Sequence, residues 1–150
     1  MGSGPSRLYE LFASYATPLY FVTFNVYQRH RILANDVTHS AFVSFAQAAA
    51  DRNIAVGRYV IMPDHIHLFV QGGEEFLLSN WVGLLKQALS KTLLAAKPHW
   101  QTGFFDHVIR HEESYAEKWE YVWQNPVRAN LVNEAAEWPY QGEIAKIDRV

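Results

Sequence analysis

The chain has 150 residues, 13 of them basic and 15 acidic, a formal net charge of −2 and no cysteine. That length fits one domain with a real core. The composition excludes disulfides, thiolate zinc sites and cysteine nucleophiles, and the acidic total argues against an indiscriminate nucleic-acid coat.

In chain order, residues 1–16 read as an N-terminal extension. The opening MGSGPSRLYE lacks the basic region and apolar stretch of a secretory signal. TPLYFVTFNVY, residues 17–27, alternates Tyr20, Val22, Phe24 and Val26 with Phe21, Thr23 and Asn25, which predicts a strand. NDVTHSAFVSFAQAAADR, 35–52, predicts a helix capped by Asn35 or Asp36. IAVGRYVIM, 54–62, predicts a second strand. Pro63 and Asp64 break it, because proline cannot donate to a sheet ladder. HIHLFVQ, 65–71, predicts a third strand ended by Gly72 and Gly73.

LLSNWVGLLKQALSKTLLAAK, 77–97, has Leu78, Trp81, Leu85, Leu89 and Leu93 at helical spacing, with Lys86, Ser90 and Lys97 on another side. FFDHVIR, 104–110, fits a fourth strand. SYAEKWEYVWQN, 114–125, fits a third helix with Ser114 as cap and Pro126 at its end. The remainder is less regular, and residues 134–150 read as a tail behind a domain spanning 17–133. The order strand, helix, strand, strand, helix, strand predicts an α+β, ferredoxin-like βαββαβ antiparallel sheet. Its helices lie on one face, with one helix added after the last strand. No apolar run is long enough to span a bilayer. Lys86, Lys91, Lys97 and Arg110 face only Asp106 within 86–110, a local basic strip inside an acidic total.

MPDHIHLFV, 62–70, places two histidines one residue apart. Side chains two apart on a strand share a face. His65 and His67 therefore point the same way as Phe69 and Gln71, while Ile66, Leu68 and Val70 face the helix-covered core. Two neighbouring imidazoles are close enough to hold one ion and would leave positions open for substrate oxygens. Two polar residues on a solvated sheet face is the competing reading, and a third group from elsewhere would decide it.

YVWQNPVRANLV, 121–132, is the second stretch of interest. Tyr121 and Asn125 are four apart, hence one turn apart on one side of a helix. Together they offer a nucleophile and a metal ligand. Tyrosine attacks poorly at its usual pKa of about 10, and a divalent cation beside a polarised phosphate would assist it. Composition and spacing alone favour a core aromatic and a helix-ending asparagine at the two positions. Tyr115 is a rival nucleophile on the same helix, on a different face.

VIMPDHIHLFV resembles the histidine–hydrophobe–histidine (HUH) strand of single-tyrosine DNA transposases. WQTGFFDHVIRHEES followed by YVWQNPVRANLV, and the opening YFVTFNVYQRHRIL, resemble the branch known as REP-associated tyrosine transposases. The likeness runs from about Leu19 to Val132. It implies a metal-dependent enzyme of the bacterial cytoplasm acting on single-stranded or hairpin DNA through a 5′-phosphotyrosine. Carried over by residue, His65 and His67 would be metal ligands, Asn125 the third ligand and Tyr121 the nucleophile, with Mg²⁺ or Mn²⁺ as the ion. Lys86, Lys91, Arg110 and Arg128 are candidate phosphate contacts, and Trp81 and Trp100 candidate base-stacking residues. Two departures stand out: many members carry Asn where this chain has Asp64, and His where it has Trp123. The resemblance allows a monomer or a homodimer. The competing functions are a water-using metal phosphoesterase or nuclease and a domesticated hairpin-binding protein without turnover.

Overall fold

The structure is a computed structural model that describes residues 17–110 and 113–147. The expected extension 1–16, the dipeptide 111–112 and residues 148–150 lie outside the described residues. Five strands form one antiparallel sheet: β1 (Leu19–Asn25), β2 (Ala55–Ile61), β3 (His65–Gln71), β4 (Phe105–Ile109) and β5 (Gln141–Glu143). Their order is β4-β1-β3-β2-β5. The first four strands give the ferredoxin-like arrangement expected from the element order, and β5 extends it beyond β2.

Helices α1 (Asp36–Ala49) and α2 (Leu78–Ser90) cover one sheet face. Asn35 starts α1 by accepting a hydrogen bond from Thr38 N at 2.9 Å, which satisfies one of the free donors of the first turn. Phe42 from α1 and Trp81, Leu85 and Leu89 from α2 pack on Val22, Phe24, Ile66 and Leu68. α2 stops at Ser90, short of the predicted 97. The Thr92 hydroxyl donates to the Leu89 carbonyl at 2.7 Å, and Thr92 N donates to the same oxygen. These bonds close the helix although the leucine spacing continues.

The second face is covered by α3 (Tyr115–Trp123) and the tail. Ser114 Oγ accepts from Glu117 N at 3.1 Å and starts α3 as the sequence predicts. Tyr115, Trp119 and Val122 form its buried stripe, against Leu19, Val60, Phe69, Trp138 and Ile147. Phe69 and Gln71, on the same face of β3 as the histidines, are therefore buried. The stretch the sequence left irregular joins this core: Trp138 Nε1 donates to Ile61 O at 3.0 Å, and β5 pairs with β2.

A β-bulge in β2 between Val56 and Tyr59 fixes where α3 sits. At the bulge Arg58 N donates to the Tyr115 hydroxyl at 2.9 Å. A Cβ on Gly57 would collide with that hydroxyl, so glycine is what admits it.

Candidate metal and phosphate site

The two candidate ligands start β3, immediately after the connection Met62–Asp64. Sheet register places Thr23 opposite His67 and Asn25 opposite His65. The imidazoles meet edge to face, with Nε2 of His65 3.1 Å from Nε2 of His67. Their outer nitrogens are occupied: His65 Nδ1 is 2.7 Å from Asp64 Oδ1, and His67 Nδ1 is 2.7 Å from Thr23 Oγ1. Arg29 Nε donates to Asp64 Oδ2 at 3.0 Å. The Phe21 ring stacks on His67, centroids 5.4 Å apart, and the Lys118 ammonium lies 4.9 Å from the Phe21 centroid.

Burial is the main force on the ionisation of the pair. It pushes His67 down to about 3, helped by the charges of His65, Lys118, Arg128 and Arg29. Burial also lowers His65, against an opposing pull from Asp64. Burial alone would raise the Asp64 carboxyl, but hydrogen bonds from His65 and Arg29 outweigh it and hold the carboxyl below its ordinary value. Both imidazoles are therefore neutral at neutral pH, the state in which a ring nitrogen can bind a metal.

The donor set fits a small divalent cation. Two ligands about 2.1 Å from one ion and at right angles around it stand about 3 Å apart, which matches the Nε2 separation of 3.1 Å. Among the described residues no group of three His, Cys, Asp or Glu side chains is placed to hold a metal. A further protein ligand would have to be of another type, such as the Asn125 amide.

α3 carries Lys118 and Tyr121 on one flank of its buried stripe. Tyr121 is 66% exposed, whereas Tyr115 is 3% exposed. The Tyr115 hydroxyl is held at the bulge and pushed well above its ordinary value, chiefly by burial. The rival nucleophile is thus a core anchor. The helix does not run unbroken to Asn125: α3 ends at Trp123, and Asn125 opens a short helix, α4 (Asn125–Arg128). Pro126, with no N–H to give, forces the break. Arg128 spans it, donating to Tyr121 O at 2.8 Å and to Asn125 Oδ1 at 2.7 Å. Its guanidinium lies 4.1 Å from the Tyr121 ring centroid.

Of the other expected cations, Lys86 and Lys91 belong to the α2 side, beneath the opposite sheet face. Lys86 Nζ donates to Gln101 O at 3.2 Å and Gly103 O at 2.8 Å. With Lys91, Lys97, His99 and Trp100 it lines an open cleft of 470 Å³. Arg110 is exposed just past β4. The expected aromatic stackers are not free: Trp81 is a core residue, and Trp100 packs on Phe24 and donates to Lys86 O and Ser90 Oγ. Trp123 packs, partly buried, at the rim of the second core.

Sequence reasoning missed Arg29, Lys118 and Thr23. Thr23 had a signal, since the alternation of β1 already put Phe21, Thr23 and Asn25 on one face. Lys118 had a weaker one, three residues before Tyr121. Arg29 had none, because it reaches the site from a 3₁₀ turn, Tyr27–Arg29.

The fold is thus a ferredoxin-like sheet whose histidine pair is neutral and feels the charges of Lys118, Arg128 and Arg29, with Tyr121 exposed on α3. The comparisons place it further. Residues 15–125 match the family described as "Transposase IS200 like", and the chain belongs to that family. It is 26% identical over 123 residues to the REP-associated tyrosine transposase of Escherichia coli (strain K12), covering 81% of this chain and 73% of that relative. A putative REP-associated tyrosine transposase of Haemophilus influenzae (strain ATCC 51907 / DSM 11121 / KW20 / Rd) is 24% identical, covering 81% of this chain and 77% of the relative. Among solved structures, a REP-associated tyrosine transposase bound to a REP hairpin shares the fold with a TM-score of 0.68 at 20% identity, covering 88% of this chain and 90% of the other. A putative transposase from Deinococcus radiodurans gives a TM-score of 0.52 at 18% identity, covering 71% and 88%. No helix among the described residues is long and apolar enough to cross a membrane.

Proposed function

We propose that this chain cleaves and rejoins single-stranded DNA at hairpin-bearing, REP-like sites through a 5′-phosphotyrosine formed on Tyr121. The observation that supports it most is the meeting of two neutral Nε2 atoms, 3.1 Å apart, with a cationic rim that reaches an exposed tyrosine. The Tyr121 phenolic oxygen attacks the phosphorus in line and the bond to the 3′ oxygen breaks. That oxygen leaves with a proton as a 3′-hydroxyl, and the phosphate stays on Tyr121. A 3′-hydroxyl from another strand reverses the step and joins new ends, since the phosphodiester energy is retained in the covalent link.

His65 and His67 would hold the divalent cation, Mg²⁺ or Mn²⁺, with Asn125 as third protein ligand, and such an ion would supply positive charge to the phosphate. Lys118 and Arg128 add positive charge where the phosphate must lie. Asn125 Oδ1 accepts from Arg128, and its second lone pair remains for a cation, so Arg128 orients the amide and keeps its other donors for the DNA backbone. Arg128 is bonded to Tyr121 and Asn125 and its charge acts on His67 of the same chain, which supports a site completed in cis, in a monomer or a homodimer. Lys91, across the sheet, and Arg110 are proposed as outlying DNA contacts, and Lys86 as a weaker one because its ammonium already donates to two carbonyls.

The test compares Tyr121→Phe with Tyr115→Phe on a labelled single-stranded hairpin oligonucleotide with Mg²⁺ or Mn²⁺. Wild type and Tyr115→Phe are expected to form an adduct that survives boiling in SDS, and Tyr121→Phe none. Undiminished cleavage by Tyr121→Phe would transfer the chemistry to water. Hairpin binding without cleavage by wild type at any metal concentration would leave a binding protein.

A further inference from the structure

We propose that Asp64 and Thr23 are positioning residues that set the protons of the histidine pair, Asp64 fixing the tautomer of His65 and Thr23 supporting His67 in either tautomer, and that Arg29 holds Asp64 to that task. This rests on the proposed metal role of the pair, but its physical content is a tautomer assignment that can be read without any catalysis.

An ionised carboxylate can only accept hydrogen bonds. With Asp64 Oδ1 2.7 Å from His65 Nδ1, the His65 proton sits on Nδ1 and donates to Asp64, so Nε2 carries the lone pair. Arg29 Nε takes the other carboxylate oxygen at 3.0 Å. Asp64 thus cannot swing away to solvent without breaking an ion pair. Arg29 Nη2 also lies 3.2 Å from His65 Nδ1; with the proton on Nδ1 this is a contact, not a hydrogen bond, and the guanidinium acts through the carboxylate.

The backbone spends conformational energy to put Arg29 there. Gln28 and Arg29 both adopt left-handed φ, 55° and 56°. Such a conformation is unfavourable for a residue with a side chain and persists only where surrounding structure over-determines it. Here Val26 N donates to Asp64 O and Tyr27 N to His99 O, pinning the turn against the strand connection that carries Asp64.

Thr23 plays a different part at the second ring. A hydroxyl both donates and accepts, so Thr23 Oγ1 suits either tautomer of His67. Without an ion, His67 Nε2–H donates to the His65 Nε2 lone pair across 3.1 Å, and His67 Nδ1 accepts from Thr23. To become a ligand, His67 moves its proton from Nε2 to Nδ1, exchanged through solvent, and donates it to Thr23. The ring stays neutral and no net proton is released. One imidazole is fixed by an acceptor-only partner; the other is left free to change by an amphiprotic one. Partners of this kind commonly matter 10–100-fold to metal affinity.

The experiment uses full-length ¹⁵N-histidine protein. Long-range ¹H–¹⁵N correlation spectra report each ring's tautomer, and Mn²⁺ electron paramagnetic resonance reports affinity. In metal-free wild type we expect His65 as the Nδ1–H tautomer and His67 as Nε2–H. Asp64→Ala should convert His65 to a mixture and weaken Mn²⁺ binding about 10–100-fold. Asp64→Asn, whose amide oxygen can still accept, should keep the tautomer and lose less affinity. Thr23→Val should weaken Mn²⁺ binding and Thr23→Ser restore it. Arg29→Ala, which spares every group bonded to the rings, keeps the test open should Asp64→Ala not fold, and should weaken binding several-fold. An Nε2–H tautomer for His65 in wild type, or Mn²⁺ affinity unchanged in Asp64→Ala or in Arg29→Ala, overturns the proposal. If wild type forms no phosphotyrosine adduct while these spectra and affinities shift as stated, the transposase reading fails and this one stands.

Discussion

The two halves of one strand face meet different surroundings. His65, His67, Phe69 and Gln71 all project from the same side of β3. Phe69 lies under α3 and the tail, 4.7 Å from the Tyr115 ring and 6.4 Å from the Trp119 ring, and Gln71 donates to Thr17; both are fully buried. His65 and His67 lie past that cover, where neighbours other than the stacked Phe21 ring are polar or cationic. The same contrast recurs on α3, whose Tyr115 is an anchor and whose Tyr121 is exposed. The difference shows how a rigid site is made: an apolar half-face clamps the helix, and the clamp fixes a polar half-face beside it.

Breaking the clamp should have the largest effect. Trp119→Ala removes a buried ring from the stripe that seats α3 and is expected to cost about 3–5 kcal/mol, measured by urea unfolding. Cleavage should fall as well, although Trp119 touches no reacting group, because the flank bearing Lys118 and Tyr121 loses its seat. Full cleavage by a destabilised Trp119→Ala protein would show that the halves are independent.

Acid should separate the halves next. His67 is held near 3 in the fold, against about 6.5 in an unfolded chain. Between those values the unfolded chain takes up a proton that the fold refuses. The contribution is complete above about pH 6.5 and is lost as pH falls toward 3. By pH 4.5 the loss should be about 2–3 kcal/mol. In EDTA, the unfolding free energy of wild type should therefore fall more steeply from pH 7 to 4.5 than that of His67→Gln. Parallel slopes would mean that His67 is far less buried from charge than its surroundings suggest.

How much of this was legible in the sequence follows from the range of the forces involved. Periodicity gave four strands and three helices, because alternation and helical spacing are local. It gave the shared face of His65 and His67 for the same reason. Register was not legible: that Thr23 stands opposite His67 depends on pairing residues 44 apart. The end of α2 was misjudged because Leu93 continues the apolar spacing while one threonine hydroxyl ends the helix. β5 has three residues, Gln-Gly-Glu, with no apolar alternation to betray it. Trp81 and Trp100 looked available because sequence shows an aromatic ring but not what covers it. Tyr121 and Asn125 were read on one helix, yet Pro126 breaks the ladder and an arginine bridges them instead.

The smallest expected effect concerns which sheet face the DNA follows. Lys118 has its ammonium on the Phe21 ring beside His67, whereas Lys86, on α2, already donates to two backbone carbonyls. A lysine so engaged has less to offer a phosphate, and burial lowers its pKa further. Lys118→Ala should weaken single-stranded DNA binding several-fold and reduce the slope of log K against log salt by about 0.7, the loss of one phosphate contact on a single strand. Lys86→Ala should change the slope by less than half as much. Fluorescence anisotropy over a salt series reads both. A larger change in Lys86→Ala would move the strand to the α2 face, and the histidine half-face would then meet only the phosphate being cleaved.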